Sequence, residues 1–252
     1  MHAEGHRVVI VGRSPRKTQA VARELGADHF VADFTRLGEV RELAAELDAA
    51  YPRIDVLANN AGGIFGERTL TADGFELTFQ VNHLAPFLLT TALLGKLGVV
   101  LQTASSSARR AGPLAVDDLN FARSYDVAAA YSTTKLENVL FARELHRRHH
   151  ADGISAAAFH PGNIASNFAA GTTSRVHKFI VTNPLTRRAL LTTPDQGADT
   201  LCWLATSAPG TDWQPGGYYE KRRPATTAAQ ASDADLARRL WERSEELLAS
   251  NS

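Results

Sequence analysis

Residues 54 to 62 read Ile-Asp-Val-Leu-Ala-Asn-Asn-Ala-Gly, an apolar run that ends in two asparagines, an alanine and a glycine. The run 54–58 is typical of a strand that is buried on both faces of a parallel sheet. In open sheets of this kind, ligands bind beyond the carboxyl ends of the strands. The stretch therefore predicts a parallel sheet, and it places the turn 59–62 at the edge where a ligand would bind.

Strands of this kind alternate with helices along most of the chain. The pattern predicts strands at 7–11, 29–32, 54–58, 99–103 and 154–159, and a turn into a short strand at 213–219. It predicts helices at 14–25, 35–50, from about 71 onward, 128–149, 194–206 and 232–248. This alternation predicts a doubly wound α/β fold, in which right-handed crossovers place helices on both faces of a parallel sheet. Residues 169–194 show little periodicity and are interpreted as a substrate-side lid.

The composition favours a single domain that binds a small molecule. The chain has 252 residues, of which 44% are hydrophobic, enough for one substantial core. Lys and Arg number 27 and so do Asp and Glu, so the net charge gives no reason to expect nucleic acid or an anionic membrane as partner. The single cysteine, Cys202, excludes an internal disulfide. No apolar run reaches the roughly 18 residues of a membrane span. We therefore expect a cytoplasmic location, and the abundance of Arg and Ala favours a bacterial source.

Tyr131 and Lys135 lie four residues apart on a predicted helix, so their side chains should share one face. A phenol with a pKa near 10 exchanges protons poorly at neutral pH, and a neighbouring ammonium lowers that pKa by stabilising the phenolate. The pair is therefore suited to proton transfer, with Lys135 tuning Tyr131. Taken alone, the same spacing is more often a surface pair on a helix.

Three polar turns strengthen the chemical interpretation, because each lies at the end of a predicted strand. These turns are 59–62, the serines at 105–107, and His-Pro-Gly at 160–162. The carboxyl ends of parallel strands lie along one edge of a sheet, so the three turns should converge. Each could be a plain surface turn, but together with Tyr131 and Lys135 they indicate an active site.

The order of these motifs resembles the short-chain dehydrogenase/reductase family over nearly the whole chain. The motifs are, in chain order, Asn59-Asn60-Ala61-Gly62, Val81-Asn82, Ser106, Tyr131-x-x-x-Lys135 and Pro161-Gly162. Residues 135–145 and 240–245, and the 25-residue gap from Ser106 to Tyr131, are similar to retinol dehydrogenases and to bacterial ketoreductases related to them.

The resemblance implies hydride transfer between a nicotinamide and a carbonyl or alcohol carbon. It implies that Tyr131 is the general acid and base, and that Lys135 tunes its pKa and binds the ribose. Ser106 would orient the carbonyl, and Asn82 would anchor a proton-relay water. Ser105 and Ser107 stay open as alternatives to Ser106.

The start of the chain predicts NADP(H) as the cofactor. After the strand 7–11, Gly12 and Arg13 occupy a position that is acidic in NAD-binding relatives, and Arg16 and Lys17 are nearby. An arginine there can pair with a 2′-phosphate, which an acidic residue would repel. A solvated basic helix start is the alternative interpretation. The further cofactor contacts implied by the resemblance are Asp33, Asn59, Asn60, Ala61, Gly62, Tyr131, Lys135, Pro161, Gly162, Ile164 and Ser166.

The resemblance also implies an opening strand, a T-G-x-x-x-G-x-G loop and a helix, and none of them precedes residue 7. The glycine loop would bind the pyrophosphate. The strand would lie in mid-sheet, so without it two interior strand edges should lack partners. A misplaced start codon is the first explanation, and a truncated relic or a rearranged working fold are the alternatives.

The substrate stays open within these expectations. We predict a small, moderately apolar carbonyl or alcohol compound, bound between the loop 65–70 and the lid. The alternative function is an NADP(H)-sensing or partner-binding protein without turnover. An epimerase or dehydratase of the same fold would need a larger substrate region. A homo-oligomer that associates through the helix carrying Tyr131 is a further expectation.

Overall fold

A computed structural model of the chain describes residue 2, residues 5–162 and residues 193–251. The strands are β1 (Val9–Gly12), β2 (Asp28–Val31), β3 (Ile54–Asn59), β4 (Leu97–Thr103), β5 (Ser155–His160), β6 (Tyr218–Glu220) and β7 (Arg223–Pro224). The helices are α1 (Pro15–Leu25), α2 (Leu37–Ala50), α3 (Leu77–Phe79), α4 (Ala85–Ala92), α5 (Val127–His149), α6 (Pro194–Thr206) and α7 (Ala234–Ala249). A π-helical turn, Gln80–Leu84, joins α3 to α4. The predicted α/β class is confirmed.

The described strands form two sheets rather than one. β1 pairs with β2 in parallel, and the second sheet has the order β3-β4-β5-β6-β7, parallel except for the β6–β7 pair. Within the described residues, β1 and β3 each have a hydrogen-bonded neighbour on one side only. Val11 of β1 and Ala58 of β3 are exposed, unlike residues in the middle of a covered parallel sheet. The expected pair of unpartnered edges is therefore present.

Helices cover both faces of the larger sheet. The main core lies on the face covered by α5, where α2, α4 and α7 add their apolar stripes, with Val40, Leu140 and Trp241 among its buried residues. A smaller core lies under α6 and includes Leu204 and Phe159. None of the described helices is both long and apolar enough to cross a membrane.

Helix starts are where the sequence prediction was least accurate. The helix expected from about residue 71 begins at Leu77, because a tight turn comes first: the Thr71 N–H donates to the Phe75 carbonyl at 2.8 Å, and Gly74 has a φ of 82°. The Glu76 side chain then caps α3 by accepting from the Phe79 N–H. A second helix start, expected at Thr35, lies at Leu37.

The cap of the closing helix also differs from the prediction. It is Asp233, whose side chain accepts from the Leu236 N–H at 2.9 Å. Ser232, the expected cap, ends a short 3-10 turn instead. A carboxylate and a hydroxyl are both good caps, so two adjacent candidates cannot be ranked from the sequence.

Amide hydrogens in β1 should exchange faster than those in β4. β4 is hydrogen-bonded to a strand on each side, whereas β1 is open on one edge, so local opening of β1 breaks fewer contacts. Hydrogen–deuterium exchange with mass spectrometry, on peptides that cover the two strands, measures this difference. Equal protection would show that the free edge of β1 is covered in solution.

Candidate active site

Helix α5 carries Tyr131 and Lys135 to the carboxyl end of β4. The helix begins after Asp126, whose side chain accepts from the Ala129 N–H at 2.8 Å. Because α5 packs on β4 and β5, Tyr131 is 8% exposed and Lys135 only 2% exposed. Lys135 Nζ lies 5.7 Å from the centre of the Tyr131 ring, so the two side chains share one face of the helix.

The serine in contact with the Tyr131 phenol is Ser105. Its side chain lies near enough to the phenol to affect the pKa of Tyr131, and its Oγ accepts from the Ser107 N–H at 3.2 Å. Ser106, the residue first predicted to orient the carbonyl, begins the 3-10 turn Ser106–Arg110 and is half-buried. A serine that orients the substrate carbonyl has to hydrogen-bond to the same substrate oxygen that the tyrosine phenol reaches, so the two hydroxyls have to lie close together. The geometry therefore favours Ser105, one of the two alternatives left open by the sequence.

The Lys135 ammonium rests on the backbone of β4. Its Nζ donates to the Thr103 carbonyl at 2.9 Å, and it forms no ion pair with a carboxylate among the residues that the structure describes. Burial lowers the pKa of Lys135 to about 8, because the charged form loses its hydration. The group is therefore close to losing its charge near neutral pH.

Burial also dominates the ionisation of Tyr131. It raises the pKa of Tyr131 to about 12, and the nearby Ser105 hydroxyl opposes the rise by stabilising the phenolate. The helical spacing predicted that Lys135 would lower this pKa, but desolvation of Tyr131 outweighs any such effect. Tyr131 is consequently a neutral phenol that can give up a proton.

Asn82 lies in the π-helical turn next to these groups. Pro86 has no N–H to donate to the Asn82 carbonyl four residues earlier, and the helix widens here into the π-turn. The Asn82 side chain is fixed at both ends: its Oδ1 accepts from the Gly63 N–H at 2.8 Å, and its Nδ2 donates to Thr134 Oγ1 at 3.2 Å. The turn is thereby tied to α5.

The asparagine–glycine turn after β3 packs against the same groups. A Cβ atom on Gly62 would lie 2.6 Å from Asn82 Oδ1 and 3.4 Å from Lys135 Nζ, so the position requires glycine. Asn59 is buried and donates to Thr90 Oγ1 at 2.9 Å. Asn60 is exposed, and its Oδ1 accepts from Thr103 Oγ1 at 3.1 Å. The turns after β3 and β4 therefore meet at one edge of the sheet.

Residues 1–176 match the sequence profile of the family described as short chain dehydrogenase. The chain belongs to the short-chain dehydrogenase family. It is 44% identical over 250 residues to DnrU of Streptomyces sp. (strain C5), to which daunorubicin C-13 ketoreductase activity is ascribed, covering 96% of this chain and 83% of that protein. It is 36% identical over 234 residues to retinol dehydrogenase 14 of Mus musculus, covering 90% of this chain and 66% of that protein.

Two solved structures illustrate the family fold. A crystal structure of an uncharacterised protein from Mycobacterium paratuberculosis has a TM-score of 0.75 and 31% identity, covering 96% of this chain and 84% of that one. An NADP complex of Pseudomonas aeruginosa RhlG has a TM-score of 0.64 at 20% identity, covering 86% of this chain and 85% of that one. The second likeness concerns the fold alone.

In this short-chain dehydrogenase, the basic residues predicted to select the cofactor lie just beyond β1. Arg13, Arg16 and Lys17 are exposed, and none forms an ion pair with a carboxylate in the described ranges. Asp33, just beyond β2, closes a turn by accepting from the Thr35 N–H at 3.0 Å. The guanidinium and ammonium groups are thus available to a phosphate.

Pro161 and Gly162 follow β5 and line a cavity of about 550 Å³. His160, four residues of α6, Glu220 and Lys221 complete its lining. Ile164 and Ser166, predicted as cofactor contacts, lie outside the described residues, as does nearly all of the predicted lid 169–194.

Tyr218 of β6 is a site residue that the sequence did not indicate. Its side chain is 3% exposed, and its hydroxyl has no hydrogen-bond partner among the residues that the structure describes. Burial raises the pKa of Tyr218, and both Arg109 and Tyr131 are close enough to influence it. Arg109 is itself held by Glu220 at 2.8 Å. A tyrosine in a short strand is usually a core residue, and only the pairing of β6 with β5 brings this one near Tyr131.

Replacing Lys135 with Met should stabilise the unliganded protein at pH 7 while it damages the site. The folded-state pKa of about 8 lies below the usual 10.5, so the unfolded chain binds this proton more tightly. Burial of the charged lysine therefore lowers the free energy of unfolding. This destabilisation has its full size below pH 8 and disappears as the pH rises to about 10.5. We expect Lys135→Met to gain about 2 kcal/mol at pH 7 and less at pH 10.

Urea unfolding of both proteins at several pH values checks this difference. Lys17→Met, which removes an exposed ammonium, is the matched control and should change the stability little. A Lys135→Met protein less stable than the wild type at pH 7 would contradict the burial cost.

Proposed function

We propose that the chain is an NADP(H)-dependent oxidoreductase that transfers a hydride between the nicotinamide and the carbonyl or alcohol carbon of a small, moderately apolar substrate. The proposal rests on one observation: the buried Tyr131 phenol contacts Ser105 on one side and lies beside the Lys135 ammonium on the other. Relatives named for ketoreductase and retinol dehydrogenase activities support a carbonyl or alcohol substrate.

In the direction of reduction, the proton comes from Tyr131. The Ser105 hydroxyl donates a hydrogen bond to the substrate oxygen and stabilises the charge that develops there. Tyr131 then gives its proton to that oxygen. A pKa of about 12 permits this step, because an alkoxide is a stronger base than a phenolate. Bound NADPH would supply the hydride, with both electrons of the new C–H bond.

Lys135 and Asn82 complete the proton path. The ammonium stabilises the phenolate left after the transfer. The Asn82 carbonyl, which Pro86 cannot engage, is available to hold a water that returns a proton towards Lys135. Oxidation uses the same groups in reverse, with the Tyr131 phenolate accepting the alcohol proton.

The residues present fit NADP(H). Arg13 and Lys17 carry free positive charges at the end of β1, where a 2′-phosphate would bind. Gly62 leaves the space beside Lys135 Nζ open, so a ribose hydroxyl can approach the ammonium. Pro161 and Gly162 follow β5 at the carboxyl end of the sheet, where the nicotinamide would bind.

A second candidate is NADP(H) binding without turnover. The observation that favours it is the open edge of β1 and of β3, since both strands flank the cofactor site and neither has a hydrogen-bonded neighbour on that side among the described residues. Cofactor binding and turnover therefore have to be measured separately.

NADPH should stabilise the protein more than NADH does, and Arg13 should account for the difference. At one hundred times its Kd, a ligand adds about 2.7 kcal/mol of stability, which a thermal-shift assay detects. Arg13→Ala should lose about tenfold in NADPH affinity and little in NADH affinity, because only NADPH carries the 2′-phosphate. Arg23→Ala, an equal loss of charge at the other end of α1, is the control. Equal losses for both cofactors would remove Arg13 from cofactor selection.

Replacing Tyr131 with Phe should lower kcat by about 10²- to 10⁴-fold, because the proton donor is lost. NADPH affinity should hardly change. Tyr51→Phe removes a phenol that bonds Asp28, and it should retain activity. Steady-state kinetics of NADPH-dependent ketone reduction, with NADPH titrations of both variants, make the comparison. A wild-type protein that binds NADPH and reduces no carbonyl substrate would favour the second candidate.

A further inference from the structure

The Thr103 carbonyl at the carboxyl end of β4 accepts two hydrogen bonds from α5. Lys135 Nζ donates to it at 2.9 Å, and Asn138 Nδ2, one helical turn further on, donates to it at 3.1 Å. The Thr103 hydroxyl donates to Asn60 Oδ1 at 3.1 Å. One residue of β4 thus joins the ammonium, a second side chain of α5 and the turn after β3.

Asn138 is held in place by few other groups. Its side chain is 2% exposed, and a buried amide is costly unless it is hydrogen-bonded. Within the described parts of the chain, its Oδ1 has no hydrogen bond of standard geometry, and neither has His83 Nδ1. Burial lowers the pKa of His83 to about 3. The two side chains are nevertheless close enough for Asn138 to oppose part of this fall. His83 Nε2 in turn lies 3.0 Å from Ser244 Oγ of α7.

We propose that Asn138 is a positioning residue for Lys135. By donating to the same carbonyl, it fixes the direction of the Thr103 oxygen on which the ammonium rests, and so fixes the place of Nζ beside Tyr131. The imidazole of His83, in the π-turn, lies near the amide, and Ser244 of α7 is hydrogen-bonded to that imidazole. The proposal rests on the proposed function, in which Lys135 stabilises the phenolate of Tyr131.

The groups that face the Lys135 ammonium are uncharged on every described element packed against it. β4 contributes the Thr103 carbonyl, the turn after β3 contributes Gly62, and the π-turn contributes the Asn82 amide. On α5 itself the neighbour is the neutral Tyr131 phenol. Glu137 faces Glu76 instead, and burial raises the pKa of Glu137 well above its usual value. A carboxylate at position 138 would therefore be the one charge beside Lys135 in the described structure.

Titration of Lys135 by NMR tests the contact without using turnover. The chain has five lysines, so ¹³C labelling at lysine Cε gives few signals, and loss of one in Lys135→Arg assigns the site. Asn138→Asp should raise the pKa of Lys135 by about one to two units, because an opposite charge then stabilises the ammonium. Glu137→Gln alters a buried carboxyl one residue away and should leave that titration unchanged. A folded Asn138→Asp protein with an unmoved Lys135 titration would overturn the proposal.

Kinetics of Asn138→Ser test the positioning role, and they replace the NMR test should Asn138→Asp not fold. In Asn138→Ser, a misplaced ammonium should lower kcat about tenfold at an unchanged KM for NADPH. It should also shift the alkaline limb of the pH–rate profile. Asn138→Gln keeps an amide and should recover part of the lost kcat. Wild-type kcat and pH profile in Asn138→Ser would overturn the proposal. A shifted Lys135 pKa in a protein that never turns over would support the contact and reject the proposed function.

Discussion

The hydrogen bond from Lys135 Nζ to the Thr103 carbonyl joins α5, which carries the proposed proton donor Tyr131, to the carboxyl end of β4. An ammonium that is 2% exposed and has no carboxylate partner among the described residues is costly to bury, because it loses its hydration. The burial follows from the packing of α5 along β4 and β5, and the hydrogen bond to the Thr103 carbonyl offsets part of the cost. Its pKa of about 8 follows from that burial, and so does its sensitivity to any charge placed nearby.

Several irregular features of the structure lie close to the hydrogen bond between Lys135 and Thr103. The π-turn at Asn82 follows from Pro86, the turn after β3 requires Gly62, and an incompletely bonded amide, Asn138, is buried beneath Lys135. Each feature is unfavourable for the element that contains it. Regular structure elsewhere compensates, as in the long buried face of α5. Such a concentration of exceptions at one edge of a sheet is what a functional site produces.

Features of the fold and site that depend on residues close together in the sequence could be predicted. Features that depend on contacts between residues far apart in the sequence could not. Strand positions follow from short apolar runs, and the shared face of Tyr131 and Lys135 follows from helical spacing, so both could be predicted. The choice between Ser105 and Ser106 depends on where β4 ends and the next turn starts. Because residues 105–107 are all serine, the sequence does not show which hydroxyl faces Tyr131. The raised pKa of Tyr131 is a consequence of burial, which only the packed structure defines.

The division into two sheets places different demands on the two parts of the site. Arg13 lies on the β1–β2 unit, which is attached to the rest largely through apolar packing of α2 on α4 and of Phe30 on the core, with side-chain hydrogen bonds such as that from Gln80 Nε2 to the Phe34 carbonyl at 3.2 Å. Apolar packing is non-directional and tolerates small displacements. Tyr131 and Ser105 lie against the larger sheet, where backbone hydrogen bonds fix the register of β4 and β5. A long guanidinium can follow a phosphate that shifts slightly, whereas hydride and proton transfer require reacting atoms held within a narrow range of distance. The chemistry that we propose would therefore take place on the part of the fold whose strand register is fixed by backbone hydrogen bonds.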